Sequence, residues 1–167
     1  MRNRLLAIIA AVATSACSAQ LTTPGKCYEG AESAIEVKYL GVEKLDLWGP
    51  PLFFGRFSLT NKKDHVVRFR TAEGRDPTHA LIYEGDYRLE TMKDGAWKDY
   101  SVVVEELVDP SGVVAVKSSA AWNFYIVMNY LATNQNRDPM QSYRVVVRDN
   151  SGCSYASEPF SGHSINK

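Results

Sequence analysis

Three histidines, His65, His79 and His163, are the only imidazoles in the chain. No two stand at i, i+2, which would put both on one face of a strand, or at i, i+4, which would do so on a helix. A metal site is therefore not expected. Carboxylates gather twice, as Glu105-Glu106 with Asp109 and as Glu84 and Asp86 around Gly85. Paired carboxylates can serve as acid and base in glycoside hydrolysis, and three or four can hold calcium. Neither run carries the Asp-x-Asp-x-Asp-Gly spacing of a calcium loop, and both read as charges that blunt an exposed edge. No Gly-x-Ser-x-Gly elbow or glycine-rich phosphate loop occurs. Ser111-Gly112 and Ser151-Gly152 read as turns. The residues point away from an enzyme and from any cofactor, and a small hydrolase built on Glu105, Glu106 and Asp109 is the third-ranked reading.

Contact chemistry is better represented. Lys62, Lys63, Arg68 and Arg70 surround one turn with Phe69 between them, a pattern that could suit nucleic acid. The 19 basic and 19 acidic residues cancel, however, so no long-range field recruits a polyanion. Arg68 and Arg70 read as a solvated face, with an acidic partner as the alternative. Trp48, ahead of Pro50-Pro51, and the nearby Phe54 are candidate apolar anchors beside a rigid segment. Their competing reading is ordinary packing. Residues 132–141 form a long polar loop in which Asn134, Asn136 and Arg137 could recognise a partner. The expected partner is another protein and not a nucleic acid.

The start of the chain has the pattern of an export signal. Arg2 and Arg4 precede the apolar run Leu5–Ala13, and small residues follow. Nine apolar residues fall short of the roughly 20 that span a bilayer and match the ~7–15 of a signal segment. Cleavage after Ala19 is one outcome and leaves 17 basic against 19 acidic residues, a net charge of −2. The other outcome follows from Thr14-Ser15-Ala16-Cys17, which resembles a bacterial lipoprotein box. Cys17 would then carry a lipid, the chain's one expected membrane contact. With Cys17 in the processing region, Cys27 and Cys153 remain as a pair for an oxidising compartment. Their bridge would close a loop worth roughly 4–5 kcal/mol in the chain-entropy model. The expected locale is the periplasm or an outer-membrane anchor.

The elements that must position these residues read as strands. From Ile35 onward the hydrophobic period is two: Ile35–Tyr39, then Val42–Leu47 after a bulge at Gly41, then Phe53–Thr60. Within the third run Phe53, Phe57 and Leu59 share one face. A polar turn at Asn61–Asp64 leads to Val66–Arg70, expected to return antiparallel. Tyr87–Thr91 and a strand from Trp97 flank a strong hairpin turn at Asp94-Gly95. Val102–Leu107 is a strand, Asp109-Pro110-Ser111-Gly112 a turn, and Trp122–Leu131 one continuous strand. Tyr143–Arg148 and Cys153–Ser157 close with a hairpin. These make about eight to nine short strands of a sandwich or barrel. Residues 1–19 are assigned to the signal, 20–34 to an N-terminal segment, 35–160 to the β-domain and 161–167 to a flexible tail.

Phe57-Ser58-Leu59-Thr60-Asn61, His65–Phe69, and Tyr87–Glu90 with Gly95-Ala96-Trp97 resemble small secreted bacterial domains of immunoglobulin-like type. The resemblance implies an all-β, antiparallel immunoglobulin-like β-sandwich. It implies fold alone, because such domains have many functions. The expected function is an exported, non-enzymatic binding or structural module of the cell envelope acting through surface loops. The runner-up is a periplasmic inhibitor or immunity protein that caps a hydrolase.

Overall fold

The computed structural model describes residues 34–46, 51–72, 79–100 and 110–166. They form an all-β, sandwich-like fold of eleven strands: β1 (Ile35–Leu45), β2 (Leu52–Asn61), β3 (Val67–Ala72), β4 (Leu81–Ile82), β5 (Tyr87–Lys93), β6 (Ala96–Asp99), β7 (Pro110–Val116), β8 (Ala121–Val127), β9 (Ser142–Arg148), β10 (Ser154–Ala156) and β11 (Phe160–Ser161). One sheet runs β1-β2-β8-β4-β3-β7. The other runs β10-β9-β5-β6, with β11 also on β9. Pairing is antiparallel except where Leu81 of β4 lies parallel to Tyr125 of β8, and where Val37 bridges Ser157.

Alternation drives the packing. In β2, Phe57, Leu59 and Asn61 face inward, and Phe124 and Ile126 do so from β8. Leu89, Val145 and Val147 meet them from the second sheet. The Asp94-Gly95 turn holds both residues at positive φ, 53° and 75°, the geometry that a two-residue hairpin between twisted strands requires. β1 shifts register between Tyr39 and Gly41, where the sequence places a bulge.

Several expectations are corrected. β2 and β3 are not a hairpin: β2 lies between β1 and β8, and β3 pairs β4 and β7. Asn61 makes the crossover. Its Nδ2 donates to the carbonyls of His65 and Val116, each at 2.9 Å, and its Oδ1 accepts from the Lys63 amide at 2.9 Å. Pro110 opens strand β7 at a sheet edge instead of forming a turn, a position that proline's missing donor tolerates. The run from Trp122 breaks after Val127, and Asn129–Thr133 is a short helix, α1, that buries Leu131 and exposes Tyr130. Residues 161–166 are not a loose tail: Gly162–Asn166 is a 3₁₀ turn with Ile165 buried in the core. The expected strand Val102–Leu107 lies outside the described residues. Among the described residues no helix is long and apolar enough to cross a membrane.

Candidate partner-binding face

Between β8 and β9, α1 and residues 134–141 build a tightly held loop against the C-terminal 3₁₀ turn. Its two tightest turns are side chain to backbone: Asn134 Oδ1 accepts from the Asn136 amide at 3.0 Å, and Asp138 Oδ1 accepts from the Met140 amide at 2.8 Å. Asn and Asp favour such turns because a short side-chain oxygen reaches an amide two residues on. The Arg137 amide donates to the Asn134 carbonyl at 3.2 Å and that of Gln141 to the Asp138 carbonyl at 3.1 Å. The Arg137 guanidinium reaches back to the Leu131 carbonyl.

Two outside clamps complete the loop. From the C-terminal turn, Gly162 N–H donates to the Gln141 carbonyl at 2.8 Å and His163 N–H to the Pro139 carbonyl at 2.9 Å. From the second sheet, the Met92 carbonyl accepts the Gln141 side-chain amide. Gly162 is required by this closure, since a Cβ there would stand 2.5 Å from the Asp138 carbonyl oxygen.

Among the polar groups this segment exposes stand two large apolar side chains. Met140 is 82% exposed and Tyr130 57%. A ladder of rings anchors Tyr130 to the core: Phe124 to Phe57 at 5.5 Å, Phe57 to Phe160 at 6.0 Å, Phe160 to Tyr143 at 6.2 Å, Tyr143 to Tyr100 at 5.5 Å and Tyr100 to Tyr130 at 6.3 Å. Such offset and edge contacts add to burial and fix ring orientation. Beneath the loop, burial pushes the hydroxyls of Tyr39 and Tyr143 up to about 12, so both are neutral hydrogen-bonding groups at any physiological pH. Tyr39 donates to the Ser164 carbonyl at 3.3 Å and so ties β1 to the same C-terminal turn.

Of the residues singled out in the sequence, Asn134, Asn136 and Arg137 come together here. Their role is to shape the loop, with Met140 and Tyr130 as the outward groups. The sequence singles out neither: the Trp122–Leu131 pattern reads Tyr130 as part of a strand, and Met140 reads as one more loop residue. Phe54 is corrected as an anchor, being 0% exposed. It packs with Ala72, Leu81 and Tyr125 in a second small core on the outer side of the six-stranded sheet. Arg68 is exposed. Arg70 is committed instead: its Nε and Nη2 grip Asp86 at 2.6 and 2.5 Å, with the guanidinium 4.7 Å above the Tyr83 ring. Asp86 is therefore a buried ion-pair member, not a solvated edge charge. Its neighbour Glu84 is half-buried, which raises its carboxyl above the usual range.

Trp48, Cys17, Cys27 and the run Glu105, Glu106, Asp109 lie outside the described residues. Cys153 is buried, beside the Ser151 hydroxyl at 3.8 Å. His65 and His163 are exposed, and His79 sets its ring edge-on to Tyr125 at 5.0 Å. No three His, Cys, Asp or Glu side chains gather as a metal site among the described residues.

No family model and no curated protein matches the chain. The X-ray structure of Northeast Structural Genomics Consortium target SoR45 is similar over 78% of this chain and 87% of that one, at 12% identity and a TM-score of 0.35. A likeness that slight carries no argument here.

Proposed function

We propose that this protein is an exported, non-enzymatic binding module of the bacterial cell envelope, of immunoglobulin-like build, whose binding face is the segment 130–141. The carrying observation is the exposure of Met140 on a loop held from both sides. An apolar side chain left in water on a segment fixed by several hydrogen bonds is pre-organised for a partner, because little ordering entropy remains to be lost on docking. Met and Tyr belong to the side chains enriched at interface centres. In this reading the buried Cys153 pairs with Cys27. Residues 1–19 are removed on export or, in the variant reading, Cys17 is lipidated.

The same hydrogen-bonded loop with Met140 exposed favours one second reading, an inhibitor or immunity protein that inserts Met140 into the cleft of an envelope hydrolase. The two readings separate by stoichiometry and by whether the captured protein loses activity.

The test is capture from envelope extract by the native protein and by Met140→Asp and Tyr130→Ala variants. A partner held by the native protein and lost by both variants, with unchanged thermal unfolding, supports the assignment. A partner retained equally by all three refutes it, as does failure to capture one. Unreduced peptide mapping should give Cys27 and Cys153 as one linked pair.

A further inference from the structure

The two sheets end at four borders, β1, β7, β10 and β6. Three of them carry devices that keep a border from recruiting another strand, namely charge, irregularity or short length. β1 holds Glu36, Lys38, Glu43 and Lys44 and a register shift, β6 ends in Lys98-Asp99, and β10 is three residues long. β7 differs. Its seven residues, Pro110-Ser111-Gly112-Val113-Val114-Ala115-Val116, include no charge. Its interruptions, Pro110 and a register shift between Pro110 and Gly112, both lie at its start. Val113 is 55% exposed, Ala115 is exposed and Val114 is half-buried.

The backbone of β7 is committed on one side. On β3 the Arg68 carbonyl accepts from the Asn150 amide at 2.9 Å and the Arg70 carbonyl from the Tyr83 amide at 3.1 Å. Tyr83 follows β4, the strand on the far side of β3 from β7. Alternate residues of a strand bond opposite neighbours, so Val67, Phe69 and Thr71 bond β7, at Val116, Val114 and Gly112. Val113 and Ala115 lie between these. Their N–H and C=O groups face the open border, where no strand pairs among the described residues.

We propose that this border pairs with β7 of a second copy of the chain, antiparallel about a two-fold axis at Val114. In that register Val113 stands opposite the partner's Ala115, and Ala115 opposite the partner's Val113. A hydrogen-bonded antiparallel pair exchanges both of its bonds, so the outward N–H groups of the two copies all meet outward carbonyls. Val114 faces Val114 across the axis, Gly112 faces Val116, and Lys117 falls opposite Ser111, so no like charges are opposed. The exposed Arg68 of each copy lies on β3, three strand spacings from its counterpart. That is at least about 14 Å, beyond the roughly 8 Å screening length at physiological salt. This self-match at each position favours a second copy over an unrelated extended chain. The two-fold uses both open borders, so the pair closes as a dimer and does not propagate. The contact is short, which makes association weak and concentration-dependent.

The test is sedimentation equilibrium of the purified protein between roughly 1 and 500 μM, the range in which so small an interface should titrate. The dimer fraction should grow with concentration. Val113→Lys combined with Ala115→Lys opposes like charges in both pairs and should weaken association about tenfold or more. Val113→Glu combined with Ala115→Glu should do the same. Mixing the two doubly substituted proteins should restore the dimer, because each Lys then meets a Glu. Thermal unfolding checks that both stay folded. Amide hydrogen exchange on the native protein needs no substitution: the Val113 and Ala115 amides should exchange more slowly as concentration rises. A monomer at every concentration would overturn the assignment, as would a dimer that the Lys pair leaves intact or a mixture that fails to associate. Val113 and Ala115 amides whose exchange ignores concentration would overturn it too.

Discussion

Replacing Asn61 by Ala removes a side chain that satisfies three backbone groups at the point where the chain leaves β2 for β3. The Val116 carbonyl bonded to it is buried, while the bonds to Lys63 and His65 lie nearer solvent. An orphaned buried acceptor costs about 1–3 kcal/mol, and each part-buried bond contributes a net ~0.5–1.5 kcal/mol. The expected loss is about 2–6 kcal/mol, a large share of the roughly 5–15 kcal/mol that holds a domain folded. For a domain of this size the melting temperature should fall by about 8–24 °C. Urea unfolding followed by circular dichroism reads the loss directly, with the denaturant slope unchanged if only stability has moved. Asn61→Asp is the discriminating partner variant. It keeps the acceptor for Lys63 but points a carboxylate oxygen at two carbonyls, so it should be at least as damaging as the Ala variant. A loss below about 1 kcal/mol for Ala, or native stability for Asp, would refute the role given to this side chain.

Burial alone would raise the Glu90 carboxyl, but the guanidiniums of Arg88 and Arg144 outweigh it and hold the group below its ordinary value of 4.5. A lowered carboxyl contributes stability that is present above about pH 4.5 and is lost as pH falls through the folded-state value. Glu90→Gln should therefore cost about 1–3 kcal/mol at neutral pH and flatten the acid limb of a stability–pH curve. An unchanged acid limb would count against the pairing. Tyr155 donates to Asp149 at 2.7 Å and accepts from Lys63 at 2.8 Å. Burial and the Asp149 carboxylate push its hydroxyl well above 10.0. The folded state holds that proton more tightly, so its contribution is complete below about pH 10 and fades as pH rises further. Tyr155→Phe should flatten the alkaline limb, measured by thermal unfolding between pH 8 and 11. Gly162→Ala should loosen the 134–141 segment through its contact with the Asp138 carbonyl. Limited proteolysis should then cleave there at least several times faster, and an unchanged cleavage pattern would contradict the clamp.

Much of the sandwich was legible because period-two patterning reports a strand with one buried face, and Ile35–Tyr39 and Phe57–Leu59 show it cleanly. Asp94-Gly95 announced its hairpin through turn chemistry. Pairing was not legible. Nothing local in Lys62–His65 says that β3 joins β4 and β7, since that choice is made by long-range packing and the Asn61 bonds. Phe54 misled because an alternation argument assumes one buried face, and here a small second core covers part of the other. The Trp122–Leu131 run misled because aromatic and β-branched residues outweighed the weak signal of a five-residue helix. Asp86 looked solvated because its partners, Arg70 and Arg148, lie far away in sequence. For the site, the polar loop was visible as a place, but the clamp from Gly162 and His163 requires the far end of the chain.

The parallel bridge between Val37 and Ser157 joins the first described strand to a residue far along the chain. Such a contact closes only after the whole intervening segment has been made, and loops of that length make acquisition of the native state slow. Until then β1 has only β2 as a lasting neighbour, and its other border stands open to pairing with another chain. A ribosome-bound or truncated form that stops short of Ser157 should consequently be more prone to aggregate than one that contains it, and that tendency should fade once Ser157 closes on Val37.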